Sequence, residues 1–115
     1  MDVNGSKGPQ AIEITAKASE GDFLVRGDMT FATVSQGLKQ ASALLKGNCR
    51  SIRFDMAGVS RSDSAGVALL IEWLRLARSY GCELFYSNIP SSLDAMIRVG
   101  GVESMLPIDA GPLNP

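Results

Sequence analysis

The sequence predicts an α/β domain: a mixed sheet of four to five strands with helices packed mainly on one face. Three observations carry this. Short stretches of alternating apolar residues are interleaved with longer stretches of helical spacing, in the order β-β-α-β-α-β-α. Two β-α-β passages imply at least three parallel strands joined by right-handed crossovers. Each helical stretch also runs into glycine, at Gly47, Gly81 and Gly100-Gly101, where a helix can stop in a left-handed conformation.

The elements follow in order. Residues 1–10 are polar and glycine-containing and read as a disordered leader. Ala11 to Lys17 alternates, with Ile12, Ile14 and Ala16 on one side, and reads as a strand. Glu20-Gly21-Asp22 is a turn into a second strand, Phe23 to Arg26, and the pair forms a hairpin. Gly27-Asp28-Met29-Thr30 should break that strand. Phe31 to Lys46 is helical, with Val34, Leu38, Ala41 and Leu45 on one side and Thr30 or Thr33 as cap. Arg50 to Met56 is a third strand, Ser64 to Tyr80 a second helix and Cys82 to Tyr86 a fourth strand. A third helix, capped by Ser91 or Ser92, points Leu93, Met96 and Ile97 inward. Val102 to Leu106 adds a helical turn and Pro107-Ile108 a final edge piece. One domain thus spans 11–108, followed by a flexible tail, 109–115.

Composition excludes several function classes. At 115 residues there is room for one core. The apolar content, 45%, is too high for a disordered chain. Net charge is −1 with scattered Lys and Arg, so the basic face of a nucleic-acid binder is missing. The sequence has no histidine, and its carboxylates and thiols show no metal-ligand spacing, so no metal or other cofactor is expected. Cys49 and Cys82 could pair, although two isolated cysteines are more often buried small hydrophobes. No secretory signal and no apolar run of bilayer length is visible, so the expected compartment is the cytoplasm, without membrane insertion.

The informative stretch is Asp55-Met56-Ala57-Gly58-Val59 through Ser62-Asp63-Ser64-Ala65-Gly66, between a strand and the second helix. Asp63 or Ser64 can cap that helix, and Asp63 suits the positive end of its dipole. Capping does not require Ser64, Ala65 and Gly66 all to be small. Small neighbours leave the Ser64 hydroxyl open to another macromolecule, and a phosphate added there would disturb a docked partner. Hydrolysis is disfavoured: Ser62 stands where the nucleophile elbow needs glycine, and no histidine can serve as base. Phosphate-cradling glycine loops are also missing.

Along the second helix, Val67, Leu70, Ile71, Leu74 and Ala77 form the expected core stripe. Leu69, Trp73, Leu76 and Tyr80 form a second stripe. Either neighbouring helices cover it or it is a partner surface anchored by Trp73.

The stretch around Asp63-Ser64-Ala65-Gly66, set in this element order, resembles the STAS domain family of anti-sigma-factor antagonists, over about Ala11 to Leu106. Ala68 to Ala77 and Leu93 to Val102 are similar to the helices of its MlaB branch. The resemblance implies a STAS-like fold and function by binding, without catalysis. In the MlaB branch the partner is the cytoplasmic ATPase of a phospholipid-transporting ABC system, with a hydroxyl residue at the contact. In the sigma-regulatory branch an anti-sigma-factor serine kinase phosphorylates the serine matching Ser64. The expected partner surface is Ser62, Asp63, Ser64, Ala65, Gly66, Leu69, Trp73 and Leu76, with Ser64 as contact or phosphoacceptor switch.

Overall fold

The computed structural model describes residues 10–47 and 50–108. The strands are β1 (Glu13–Ala16), β2 (Asp22–Met29), β3 (Ser51–Ser62) and β4 (Glu83–Ser87), and the helices are α1 (Val34–Leu45), α2 (Ser64–Ser79) and α3 (Ser91–Gly100). A 3₁₀ turn, Glu103–Met105, follows. The sheet order is β1-β2-β3-β4. β1 runs antiparallel to β2, and β2, β3 and β4 are parallel. Because the order proceeds in one direction, right-handed crossovers place α1 and α2 on the same face. Ile108 makes a single parallel bridge to Tyr86, the expected edge piece.

Burial follows the alternation. Val25, Ile52, Phe54, Met56, Leu84 and Tyr86 are buried beneath the helices, while Arg26, Ser51, Arg53 and Glu83 lie exposed on the open face. The centre of the core is aromatic. Phe54 meets Trp73 edge-on at 5.1 Å between ring centroids and Phe23 at 6.3 Å. Its two polar tips are satisfied: Trp73 Nε1 donates to Gly37 O (3.0 Å) and Tyr86 Oη to Leu70 O (2.6 Å). Burial pushes the Tyr86 hydroxyl well above the usual tyrosine range.

Three boundaries differ from the sequence reading. β2 does not break at Gly27. Its φ of +102° and the Ala11 carbonyl, in the space a Cβ would need, both demand glycine, so the strand bends there and continues to Met29. β3 continues past Met56 to Ser62 through two bulges: Val25 faces both Met56 and Ala57, and Asp28 faces both Ser60 and Arg61. The stretch expected between the third strand and the second helix is thus mostly strand. α1 begins at Val34, leaving Phe31 in the preceding turn. Cys82 is buried, its Sγ 3.8 Å from Leu45 O. Cys49, like the leader and the tail beyond 108, lies outside the described residues.

The edge of β1 is covered by a side chain of α1. Gln40 Nε2 donates to Ile12 O (2.7 Å) and Gln40 Oε1 accepts from Ile14 N (2.9 Å). This satisfies backbone groups that an uncovered edge strand would offer to another chain.

Candidate functional site

The site is built where β3 hands over to α2. Asp63 is the N-cap, in extended backbone conformation, and its Oδ1 accepts from Ala65 N at 2.9 Å. Its other oxygen, Oδ2, accepts from Phe31 N at 3.1 Å in the β2–α1 turn. The Asp63 amide donates to Met29 O (3.2 Å). One aspartate therefore caps α2 and ties it to the turn before α1.

That turn is pinned from its other side as well. Thr33 precedes α1 but its side chain makes no helix cap. Instead Thr33 Oγ1 donates to Asp28 O (2.6 Å) and accepts from Thr30 N (3.1 Å), while Thr33 N donates to Thr30 O (2.9 Å). Between these fixed points Phe31 is 83% exposed.

The candidate residues separate by burial. Ser64, the first residue of α2, is exposed, and Ala65 beside it is half-buried. Ser64 does not cap the helix, because Asp63 does, and it stands exposed at the positive end of α2. Ser62 is half-buried, with an Oγ that has no hydrogen-bond partner among the described residues. Leu76 is half-buried.

Three expectations are corrected. Gly66 is buried, and a Cβ there would stand 2.6 Å from Met29 O, so its smallness serves the packing of α2 on β2 and not the approach of a partner. Leu69 and Trp73 are fully buried and offer no contact surface. The buried stripe of α2 is Gly66, Leu69, Leu70, Trp73 and Ala77. It takes members from both expected stripes, because α1 packs over the side that carries Trp73 and receives its indole N–H.

Two groups escaped the sequence reading. The helical spacing puts Phe31 inside α1, whereas the helix begins at Val34. A helix starting after Thr33 would have left it outside, but the cap chemistry of Thr30 and Thr33 reads alike in sequence. Asp55 stands in the sequence only as the first residue of the informative stretch, yet it is a hub of the open sheet face. It accepts from Lys17 Nζ (2.7 Å), Asn88 Nδ2 (3.0 Å) and Ala57 N (3.0 Å). Burial alone would push its carboxyl up, but these hydrogen bonds outweigh burial and hold it below the ordinary carboxylate range.

Clefts open elsewhere on the molecule, lined by Asp22, Arg53 and Phe85, by Lys17, Phe23 and Arg50, and by Gln10, Arg26 and Gly58. Ser64 lines none of these three. The start of α2 and the turn tied to it offer an exposed serine, an exposed phenylalanine and a fixed backbone, which suits docking. No helix among the described residues is long and apolar enough to cross a membrane.

A family model described as MlaB, STAS domain, matches residues 13–107. The chain belongs to the STAS domain family. Among solved structures, this STAS domain is similar to unphosphorylated SpoIIAA, an anti-sigma-factor antagonist (17% identity, TM-score 0.63, 88% of this chain and 90% of that one). It is also similar to an anti-sigma-factor antagonist from Mycobacterium paratuberculosis (15%, TM-score 0.68, 91% of each chain). A third likeness is to a segment of the murine Solute Carrier 26 family member A9 anion transporter (18%, TM-score 0.61), where it spans 83% of this chain and 19% of the transporter. At these identities the likenesses establish the fold. The comparison with curated proteins yields no match.

Proposed function

We propose that this STAS domain is a non-catalytic docking protein that binds, and regulates or stabilises, the cytoplasmic ATPase of a phospholipid-transport ABC system. The observation that carries the reading is the exposed Ser64 at the start of α2, in a chain matched from 13 to 107 by the MlaB STAS model. Ser64 is the contact hydroxyl, with Ala65 next to it leaving room for a partner's backbone. Asp63 and Ser62 shape the surface from beneath, and Leu76 extends it along α2. The protein would reach the membrane only through the transporter, as a cytoplasmic subunit.

The test is co-purification with the ATPase subunit. Wild type should retain it, and Ser64→Glu, which adds charge and bulk at an exposed position, should lose it while unfolding at the wild-type temperature. Equal recovery with both proteins would remove Ser64 from the contact.

One observation favours a second reading, an anti-sigma-factor antagonist switched by a serine kinase. The fold matches SpoIIAA, which is also known in a phosphorylated form (16% identity, TM-score 0.60), and the exposed residue here is a serine. A phosphate on Ser64 would gain from the α2 amides yet stand beside the Asp63 carboxylate and repel it. Incorporation of phosphate at Ser64 by a cognate kinase would replace the transport reading with this one.

A further inference from the structure

Phe31 is an exposed aromatic residue whose position is heavily specified. Exposing a phenyl ring forgoes the gain of burying it, and fixing the backbone beneath it costs conformational entropy. Here the turn that carries it is held by Asp63 on one side and by Thr33, Thr30 and Asp28 on the other. The link to Asp63 is selective. The same carboxylate that caps α2 directly before Ser64 receives the Phe31 amide, so the backbone that carries the ring and the backbone next to Ser64 are held by two oxygens of one side chain.

We propose that Phe31 is the apolar anchor of the Ser64 docking surface, and that Asp63 is the positioning residue that holds ring and hydroxyl in register for one protein partner. The inference rests on the docking reading above and takes the ATPase subunit as that partner. A protein surface is the fitting occupant because an aromatic anchor next to a small polar group matches the usual make-up of an interface centre, where a few aromatic residues carry most of the binding energy. Leu69 and Trp73, being buried, cannot fill that role. Phe31 is the exposed large apolar residue that the structure ties directly to the α2 cap.

The chemistry of Asp63 supplies a test that separates positioning from folding. Asparagine caps helices about as well as aspartate. Its single amide oxygen can keep the bond to Ala65 N, but the second position becomes an NH₂ group, which cannot accept from Phe31 N–H. Asp63→Asn should therefore keep α2 and thermal stability while releasing the Phe31 turn.

The experiment measures binding of the purified ATPase subunit by titration calorimetry, together with amide hydrogen exchange of the full chain. Phe31→Ala is expected to weaken binding about tenfold or more, as a central aromatic contact does, with unchanged unfolding temperature. Asp63→Asn is expected to weaken binding similarly and to speed exchange at Phe31 but not at Ala65. Phe31→Leu, which keeps an apolar side chain, should recover part of the loss. Wild-type affinity in Phe31→Ala, with binding still lost in Ser64→Glu, overturns this inference and leaves the docking reading intact. Unchanged exchange at Phe31 in Asp63→Asn removes Asp63 as its positioning residue. Failure of the wild-type chain to bind the ATPase overturns both readings together.

Discussion

Two apolar groups stand in solvent at different parts of this domain, and their surroundings differ. Phe31 is 83% exposed and Val99 is 89% exposed. Phe31 lies in a turn whose backbone is bound by the side chains of Asp63 and Thr33. Val99 lies in the last turn of α3, two positions after Ile97, and at about 100° per residue it points away from the core that Ile97 enters. Past it the helix stops in an ordinary way, with Gly101 at φ +68° and its amide on Arg98 O. Exposure alone does not distinguish the two. The distinction is that a long-range hydrogen bond to the Asp63 side chain, backed by local bonds of Thr33, specifies where the Phe31 backbone stands, whereas Val99 is where helical geometry leaves it.

The comparison can be broken at its foundation first. If Trp73 is the core residue that leaves Phe31 as the surface aromatic, Trp73→Ala should cost about 3–5 kcal/mol in a denaturant titration. A cost below 1 kcal/mol would return Trp73 to the surface and remove the contrast.

A second prediction concerns Asp55, which holds the open sheet face as Asp63 holds the start of α2. Its carboxyl titrates below the ordinary range in the folded chain. Its contribution to stability is therefore complete above that range and lost as pH falls through and beneath it. Asp55→Asn should lower stability at neutral pH by about 1–3 kcal/mol, the cost of weakening a buried hydrogen-bonded group. It should also flatten the fall in unfolding temperature below about pH 4, where unperturbed aspartates titrate. A variant as acid-sensitive as wild type would show that the hub does not govern acid stability.

The smallest expected effect sharpens the contrast from the other side. Val99→Ser should change stability by no more than about 0.5 kcal/mol, as for a surface substitution, and leave binding of the proposed ATPase partner untouched. A loss of binding in Val99→Ser equal to that in Phe31→Ala would place the contact at the end of α3 instead.

Much of the fold was legible because its signals are local. Alternation in Glu13–Ala16, the helical spacing of Leu93 and Ile97 and the glycine stops all act within a few residues, and the element order then constrains the sheet through the handedness of crossovers. Asp63 was also legible as a cap, since Asp before a helix needs only nearby amides. The length of β3 was not. Its continuation to Ser62 depends on bulges opposite Val25 and Asp28, residues far away in the chain. The rotation of α2 was not legible either. Leu69 and Leu74 are equally apolar in sequence, and the neighbouring elements decide that Leu69 is buried and Leu74 half-buried.

The sequence by itself determined the kinds and order of elements, the capped start of α2 and a serine set there without a histidine to activate it. Tertiary structure decided which faces are surface. It buried Leu69 and Trp73 under α1, closed Gly66 against Met29 and brought Phe31 to Asp63 across 32 residues of chain. The physical reason is the range of the forces involved. Backbone preference and capping act between near neighbours in sequence, whereas burial and side-chain bridges belong to pairs that meet only once the sheet and helices have assembled.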